Sequence, residues 1–314
     1  MRTAWLALVP LLLGLIPFSR VSTPARTPSA GEETFTFAVT ADMRQFAGPG
    51  TYDSAQYFRG AVEAIAAHGA GAFMISPGDI DPPAGVMWTI TQTLGSDYAW
   101  YPVVGNHEAE TPGDMDWLRS YGYGAVQPGP MGCPETTYAF DYGNSHFVVL
   151  NEYCDSSGDT ATDGDIPDHL YDWLVADLEG TSADNIFVIG HEPGYPQPDA
   201  DNGRLRHESD SLNAHLANRD RFWELLKEHQ VAAYLCGHTH NYSLARVDGV
   251  WQLDAGHARG LGDTGAPSTF VLVQVDGTNI TYQTYRDDAN GGAYNLMHAG
   301  VLYGESVYLP FTSR

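Results

Sequence analysis

Five segments of the chain share one pattern, in which an apolar run typical of a β-strand ends in a short polar turn. The runs and their turns are 35–40 into Asp42, 72–76 into Gly78-Asp79, 100–104 into Gly105-Asn106-His107-Glu108, 185–189 into Gly190-His191, and 231–236 into Gly237-His238-Thr239-His240. In open α/β sheets, ligands bind beyond the carboxyl ends of the strands. The pattern therefore predicts an α/β fold whose strands deliver side chains to one metal-binding catalytic site.

In chain order the turns read D-x-R, G-D-x, G-N-H-E, G-H-E-P and G-H-T-H. This order resembles the calcineurin-like metallophosphoesterase superfamily, whose motifs are D-x-H, G-D, G-N-H-[DE], H and G-H-x-H. A single short motif arises by chance in a chain with 34 glycines and 12 histidines, but five in order, each after a strand, are specific. The resemblance runs from Phe35 to about His257. It implies a single-domain sandwich of two central mixed β-sheets flanked by helices.

The resemblance also implies a centre of two divalent or trivalent metal ions. The expected ligands are Asp79 as a bridging carboxylate, Asp42 and His240 at the first site, and Asn106, His191 and His238 at the second. Two adjacent ions can hold both the attacking and the leaving oxygen of a phosphate displacement. Fe, Mn and Zn all accept these ligand types, so the sequence does not identify the metal.

His107 belongs to the G-N-H-E turn but is not an expected ligand. The resemblance places it beside the phosphate, where it would stabilise developing charge together with Asn106 and protonate the leaving oxygen. Histidine suits this role because its usual pKa lies near neutrality. Either Glu108 or Asp81 can orient the other ring nitrogen, and the sequence does not choose between them.

Arg44 occupies the position of the family's first histidine ligand. A guanidinium has no lone pair to offer a cation. Arg44 then either binds the substrate phosphate, or pairs with a nearby carboxylate, or marks a weak first metal site. Gln45 can supply an oxygen if the turn is shifted by one residue. We expect a two-metal centre with fewer ligands at its first site, and we count Arg44 with Asn106 and His107 as catalytic.

Residues 1–33 read as a secretory leader and a disordered segment. Arg2 precedes an apolar block over 4–18, which is shorter than the roughly 20 residues of a membrane-spanning helix. We therefore expect a secreted or periplasmic protein without a stable membrane span, with an uncleaved N-terminal anchor as the alternative. The phosphoesterase domain is predicted over 34–290, and 291–314 form a tail that packs on it or extends it.

Composition restricts the partners. The formal net charge is −24 and Lys227 is the single lysine, so binding to nucleic acid polymers is not expected. Cys133 and Cys154 flank a predicted hairpin formed by 137–142 and 145–152, and a disulfide between them is plausible in an exported protein. Cys236 is expected to be an inert buried thiol.

Helical spacing of apolar residues appears between the strands. Helices are predicted from Asp53 or Ser54 to His68, from Pro167 or Asp168, and from about Asn218 to Gln230. Hairpins follow near the C-terminus, with turns at Asp248-Gly249 and Asp276-Gly277.

The expected activity is hydrolysis of small phosphomonoesters or phosphodiesters by attack of metal-activated hydroxide. A nucleotide or cyclic-nucleotide phosphodiesterase is the alternative enzyme. A metal-binding or scaffold protein that keeps the fold without catalysis is the alternative of another class, and Arg44 is its argument. Further candidates for substrate contact, each with a purely structural alternative, are the loop 204–210, the segment 257–259 and the aromatic residues Tyr52, Trp88 and Tyr195.

Overall fold

Two mixed β-sheets form the centre of the molecule, and helices cover their outer faces. In this computed structural model the described residues are 34–259, 265–287 and 291–303. The expected leader, residues 1–33, and the end of the expected tail, residues 304–314, lie outside them. The architecture confirms the predicted α/β sandwich of two sheets flanked by helices.

Thirteen strands occur in the described part of the chain. They are β1 (Thr34–Val39), β2 (Phe73–Ser76), β3 (Ala99–Pro102), β4 (Gln127–Pro128), β5 (Tyr138–Tyr142), β6 (Ser145–Val149), β7 (Asn185–Ile189), β8 (Ala233–Cys236), β9 (Tyr242–Val247), β10 (Val250–Ala255), β11 (Thr269–Asp276), β12 (Asn279–Arg286) and β13 (Asn295–Tyr303). The first sheet has the order β13-β12-β11-β1-β2-β3, and the second has the order β4-β5-β6-β7-β8-β10-β9.

Parallel pairing occupies one end of the first sheet and the middle of the second. In the first sheet β1 pairs parallel with β2, and β2 with β3. In the second sheet β6, β7, β8 and β10 are joined in parallel, while the late hairpin β9–β10 is antiparallel. The carboxyl ends of the strands that precede the five polar turns therefore emerge on the same side of their sheets.

The described helices are α1 (Phe58–Ala67), α2 (Pro83–Leu94), α3 (Asn106–Ala109), α4 (Pro112–Ser120), α5 (Asp168–Gly180) and α6 (Leu216–Glu228). The helices predicted near 168 and over 218–230 are confirmed as α5 and α6. Helix α1 begins at Phe58, later than predicted, because the Asp53 carboxylate pairs with Arg59 rather than capping a helix. Gly85 and the threonines of α2 are poor helix formers, and the sequence did not predict this helix.

Aromatic side chains fill the space between the sheets. Phe37 and Phe73 of the first sheet stack with ring centroids 5.3 Å apart, and Phe147 and Phe187 of the second stack at 5.0 Å. Phe37 meets Phe147 edge to face at 5.3 Å across the interface. Offset and edge-on ring pairs add stabilisation beyond the area that they bury. This packing fixes the two sheets against each other and so sets the distance between their strand ends.

The cysteine predictions are confirmed. Cys133 and Cys154 form a disulfide beside the β5–β6 hairpin, and Cys236 is a buried free thiol. None of the helices in the described part of the chain combines the length and the apolar character that crossing a bilayer requires.

Candidate metal centre

The loops after β1, β2, β7 and β8 meet at the junction of the two sheets. The His238 backbone N–H donates to Asp42 Oδ2 at 2.9 Å, across 196 positions of sequence. His191 Nε2 lies 3.5 Å from Asp79 Oδ1. Each contact joins a loop of the first sheet to a loop of the second. The structure thus brings together side chains that sequence reasoning had placed at separate strand ends.

Four of these side chains stand on backbone in the left-handed region. The φ values are 53° at Asp42, 53° at Asp79, 69° at His238 and 57° at His240. Positive φ is uncommon for residues other than glycine and costs roughly 1–3 kcal/mol when the position is strained. Such residues concentrate at functional sites. The turns thus hold the four side chains in place at a cost in stability.

The two carboxylates are buried close to each other. Asp42 is fully buried, and within the described part of the chain its Oδ1 atom accepts no hydrogen bond. Burial, and then the nearby Asp79, raise the pKa of Asp42 well above its usual range. Burial also raises the pKa of Asp79 to about 6, although His107 and Arg44 act against it. Two negative charges buried side by side are costly, so this pair favours a bound cation.

The rings of His191 and His238 have a defined hydrogen position. His191 Nδ1 lies 2.8 Å from the Pro77 carbonyl oxygen, and His238 Nε2 lies 2.9 Å from the Asp210 carbonyl oxygen. Since a carbonyl only accepts, each of these nitrogens donates. Burial lowers the pKa of His191 to about 3 and lowers that of His238 as well, so both rings are neutral. Their remaining nitrogens therefore present lone pairs to the site, as metal ligands do.

Asn106 begins helix α3, and its side-chain oxygen is also buried, with no hydrogen-bond donor among the residues that the structure describes. Its two neighbours both touch the same carboxylate residue. A Cβ atom added to Gly105 would lie 2.4 Å from Asp79 N, and the His107 backbone N–H donates to Asp79 Oδ1 at 3.2 Å. Asn106 is thus held beside Asp79 with an oxygen available to a cation.

Glu108 has a different role from the one considered for it. Its carboxylate accepts hydrogen bonds from the backbone N–H groups of Asp79, Ile80 and Gly105, at 3.0, 2.8 and 2.8 Å. It ties the Asp79 turn to the start of α3. The His107 ring instead faces Asp79, with Nε2 3.6 Å from Oδ2, and its side chain is 29% exposed. A bound phosphate can therefore reach it.

At the expected first site, the ring of His240 is engaged by an arginine. Arg259 Nη2 lies 3.0 Å from His240 Nδ1. Because a guanidinium only donates, Nδ1 accepts, and a neutral ring then carries its hydrogen on Nε2. That Nε2 atom faces Asp42 Oδ1 at 3.5 Å. His240 therefore lies where a ligand is expected. Its Nε2 atom has no lone pair to offer a cation beside Asp42 unless Arg259 moves away from Nδ1.

Arg44 pairs with a carboxylate, one of the three interpretations given to it. Its Nε lies 3.1 Å from Asp81 Oδ1. Within the described residues, its two terminal nitrogens make no hydrogen bond or ion pair, and its side chain is 27% exposed. Gln45 is exposed and lines a neighbouring cavity, which argues against the shifted-turn alternative.

The cationic loop 204–210 lies beside the centre but is mostly engaged in structural contacts. Arg204 donates from Nε to Asn241 Oδ1 at 2.7 Å and from Nη2 to the His240 carbonyl oxygen at 3.0 Å. The His207 ring packs 4.3 Å from that of His238. His207, Asp210 and His238 are spaced closely enough to hold a metal ion, as are Asp42, Asp79 and His191. The Tyr195 ring packs on that of Trp223, with ring centroids 4.9 Å apart.

Sequence reasoning did not identify a buried pair of glutamates behind His191. Glu152 accepts from the backbone N–H groups of His191 and Glu192 at 2.9 and 2.7 Å, and from the Tyr234 hydroxyl. Burial raises the pKa of Glu152 to about 7. The sequence did carry one signal for Glu152, the one that marked the five motifs: the residue lies just after the carboxyl end of a parallel strand, β6. Its turn, Asn151-Glu152-Tyr153, matches none of the five motifs.

A protein-family model matches most of the chain. The family model described as calcineurin-like phosphoesterase matches residues 35–242. That span contains all five strand-and-turn motifs. No curated protein sequence gives a significant match.

Among solved structures, the chain is similar to PhoD, with a TM-score of 0.61 and 13% identity over 90% of this chain and 74% of that one. It is also similar to the purple acid phosphatase PPD1 from yellow lupin seeds, with a TM-score of 0.59 and 13% identity, where it covers 88% of this chain but only 54% of that one. A third similar structure is GAP50, the anchor in the inner membrane complex of Plasmodium, with a TM-score of 0.58 and 14% identity over 87% of this chain and 90% of that one.

Identities this low show the fold alone. The match to the family model spans more than half of the chain and includes each of the turns that meet at the centre. The chain therefore belongs to the calcineurin-like phosphoesterase family.

Proposed function

We propose that the chain is a metal-dependent phosphoesterase that hydrolyses small phosphomonoesters or phosphodiesters. The observation that carries the proposal is the His191–His238 pair, whose Nε2 and Nδ1 atoms lie 3.2 Å apart beside two buried carboxylates. Asp42, Asp79 and His191 are spaced closely enough to hold a metal ion, and buried carboxylate oxygens beside imidazole nitrogens with free lone pairs are suited to a cation.

The donor set fits a metal centre of unequal sites. The site with more ligands would be formed by Asp79, Asn106, His191 and His238. The site with fewer ligands would be formed by Asp42 and His240, and Arg259 donates a hydrogen bond to this histidine. Metal ions bound there would lower the pKa of coordinated water toward 7 and offset negative charge on the phosphoryl oxygens. Fe, Mn and Zn all suit these oxygen and nitrogen ligands.

Residues of the chain supply the remaining functions. His107 lies against Asp79 with an exposed ring edge, where it can stabilise phosphoryl charge and return a proton to the leaving oxygen. The two terminal nitrogens of Arg44 make no hydrogen bond to any residue that the structure describes, and a guanidinium binds phosphate oxygens through paired hydrogen bonds. Asp81 keeps Arg44 in this position through its 3.1 Å contact.

A non-catalytic metal-binding or scaffold role is the second candidate, and a specific observation favours it. Arginine stands at the family's first histidine position, and a second arginine donates to His240. A centre that binds one ion without turnover would have these features. The intact His107 favours the enzyme, since a purely structural metal site does not use an exposed histidine beside its ligands.

Hydrolysis of p-nitrophenyl phosphate and bis-p-nitrophenyl phosphate tests the proposal. The purified chain would be loaded with Mn²⁺ or Zn²⁺ and compared with Asp79→Ala. We expect turnover of at least one ester and its loss in the variant, and the preferred ester assigns the chain as a monoesterase or a diesterase. Metal binding without turnover of either ester would favour the scaffold role.

We also propose that the protein acts outside the cytoplasm. The Cys133–Cys154 disulfide supports this, because structural disulfides persist in oxidising compartments. The apolar block near the N-terminus suits an export signal. The net charge of −24 makes a small phosphate ester a better substrate than a nucleic acid polymer.

A further inference from the structure

A cavity of about 590 Å³ opens beside the loop that follows β1. Its volume falls in the range of about 300–1,000 Å³ that is usual for small-molecule sites. It is lined by Gln45, Ala47, Pro49, Tyr52, Pro82, Ala84, Gly85 and Trp88. None of these residues carries a charge, although the chain as a whole is strongly acidic. The cavity is therefore suited to the uncharged part of a ligand.

The cavity adjoins the candidate metal centre through two chain connections. Gln45 lies three residues after Asp42, and Pro82 lies three residues after Asp79. Three residues of chain span at most about 11 Å, so both parts of the wall lie within that reach of a carboxylate ligand. Gln45 N–H also donates to the Asp81 carbonyl oxygen, which joins the two loops at the rim. A molecule with its phosphate at the metals can thus extend into the cavity.

The wall is held rigidly. The Gly48 N–H donates to Thr89 Oγ1 at 3.0 Å, which fastens the loop to helix α2. A Cβ atom added to Gly85 would lie 2.6 Å from the Ala47 carbonyl oxygen, so loop and helix touch through their backbones. The Tyr52 ring packs edge-on against Phe46 at 5.8 Å. A preformed wall does not need to be ordered when a ligand binds, which favours affinity.

Two aromatic side chains set the chemistry of the wall. Tyr52 and Trp88 are both partly exposed at the cavity, one from the loop and one from α2. Partly exposed rings that line a preformed cavity offer apolar surface and stacking faces to a planar group. Arg44 and Asp81 form a charged pair at the rim on the side of the metal centre. The arrangement separates a polar end for phosphate from an apolar end.

We infer that this cavity binds the alcohol portion of the substrate and selects phosphate esters whose alcohol carries an aromatic or other planar apolar group. The inference rests on the proposed phosphoesterase function and adds the substrate class to it. The phosphate lies at the metal centre near Arg44, and the organic group lies between Tyr52 and Trp88.

The test compares benzyl phosphate with ethyl phosphate on the metal-loaded protein. Both are esters of primary alcohols of similar acidity, so a difference in kcat/KM reports binding of the ring. We expect benzyl phosphate to be preferred about tenfold, the scale of a modest apolar contact. Ala84→Trp fills the cavity and should reduce the preference to within about twofold of unity. Gln92→Trp, an exposed position on the same helix, should leave it unchanged.

Calorimetric binding of benzylphosphonate and ethylphosphonate, which are not hydrolysed, separates the two claims. Turnover of both esters with equal kcat/KM, or a preference that Ala84→Trp does not reduce, would overturn the cavity and leave the phosphoesterase intact. A second outcome is that neither ester is turned over, but benzylphosphonate binds more tightly than ethylphosphonate and binds only to chains that retain Ala84. That result would overturn the phosphoesterase and keep the cavity as a ligand site. Absent turnover and equal or no binding of the two phosphonates would overturn both.

Discussion

His191 Nε2 and His238 Nδ1 lie 3.2 Å apart, although each ring directs its hydrogen away, to the carbonyl of Pro77 or of Asp210. Two lone pairs at that distance repel unless a cation lies between or beside them. Burial keeps both rings neutral. The main chain thus fixes two histidines in an arrangement that gains stability from a metal ion.

Metal binding should stabilise the folded chain. A ligand at one hundred times its dissociation constant adds about 2.7 kcal/mol, which corresponds to a rise in Tm of about 5 °C or more for a chain of this size. We expect Mn²⁺ or Zn²⁺ to raise the Tm of chelator-treated protein by this amount. The shift should disappear in His191→Ala and persist in His229→Ala, a histidine at the end of α6. An equal shift in the two variants would contradict the assignment.

Replacing Arg44 with histidine should restore a first-site ligand. We expect Arg44→His to tighten binding of the weaker ion tenfold or more, because imidazole supplies the lone pair that guanidinium lacks. Isothermal titration with Mn²⁺ measures it. Arg44→Met is the control, because it removes the same charge without adding a ligand. Unchanged affinity in Arg44→His, or equal tightening in both variants, would count against Arg44 as the reason for a weak site.

His107 should matter for turnover and not for metal binding. His107→Ala is expected to lower kcat by about 10²–10⁴, the usual contribution of a general acid. Metal content should stay at the wild-type value, because the ring of His107 reaches Asp79 without being one of the expected ligands. Phosphate release and elemental analysis of the same sample check both statements. Loss of metal in His107→Ala would assign the residue to the metal centre instead.

Glu108 should be a stabilising residue rather than a catalytic one. The Glu108 carboxylate now accepts hydrogen bonds from backbone N–H groups, and in Glu108→Gln an amide NH₂ group would face such donors instead. Buried donors left unsatisfied cost about 1–3 kcal/mol each, so we expect a loss of about 2–4 kcal/mol in urea unfolding. Glu110→Gln, two residues on and exposed, is the matched control and should change stability by less than about 0.5 kcal/mol. Equal losses in both variants would contradict the role given to Glu108.

Asp254 should make the metal-free chain less stable as the pH rises. Burial raises the pKa of Asp254 to about 8, against an ordinary value of 3.8. Between these values the folded chain retains a proton that the unfolded chain has lost, so unfolding becomes easier with increasing pH. The Tm of wild type should therefore fall relative to that of Asp254→Asn from pH 5 to pH 8. Asp97→Asn, at an exposed aspartate, is the control, and its difference in Tm from wild type should not change with pH. If the difference in Tm between wild type and Asp254→Asn were also independent of pH, the raised pKa of Asp254 would be contradicted.

The residues of the centre that could be predicted from the sequence are those that directly follow a β-strand. Asp42 and His238 are far apart in sequence, yet the ends of parallel strands bring them within 2.9 Å. The pattern of apolar run and polar turn was therefore sufficient to place them together. Arg44 could also be flagged, since its departure from the motif is visible in the sequence and has a clear chemical meaning.

Other features had no signal in the sequence. The carbonyls of Pro77 and Asp210 orient the two histidines, but every residue carries a carbonyl. The segment 257–259 was a candidate for substrate contact, but no motif in the sequence placed Arg259 against His240. Helix α2 is built from weak helix formers and is held by tertiary packing, so its wall of the cavity was not predictable either.

Reconstitution of activity tests the central claim most directly. Wild type, His191→Ala and His238→Ala would be stripped with a chelator and titrated with Mn²⁺ or Zn²⁺ while hydrolysis of bis-p-nitrophenyl and p-nitrophenyl phosphate is followed. The account predicts no turnover by stripped protein, recovery of wild type as metal is added, and no recovery in either variant at the same metal concentration. Turnover that survives stripping, or recovery of both variants to the wild-type rate, would contradict it.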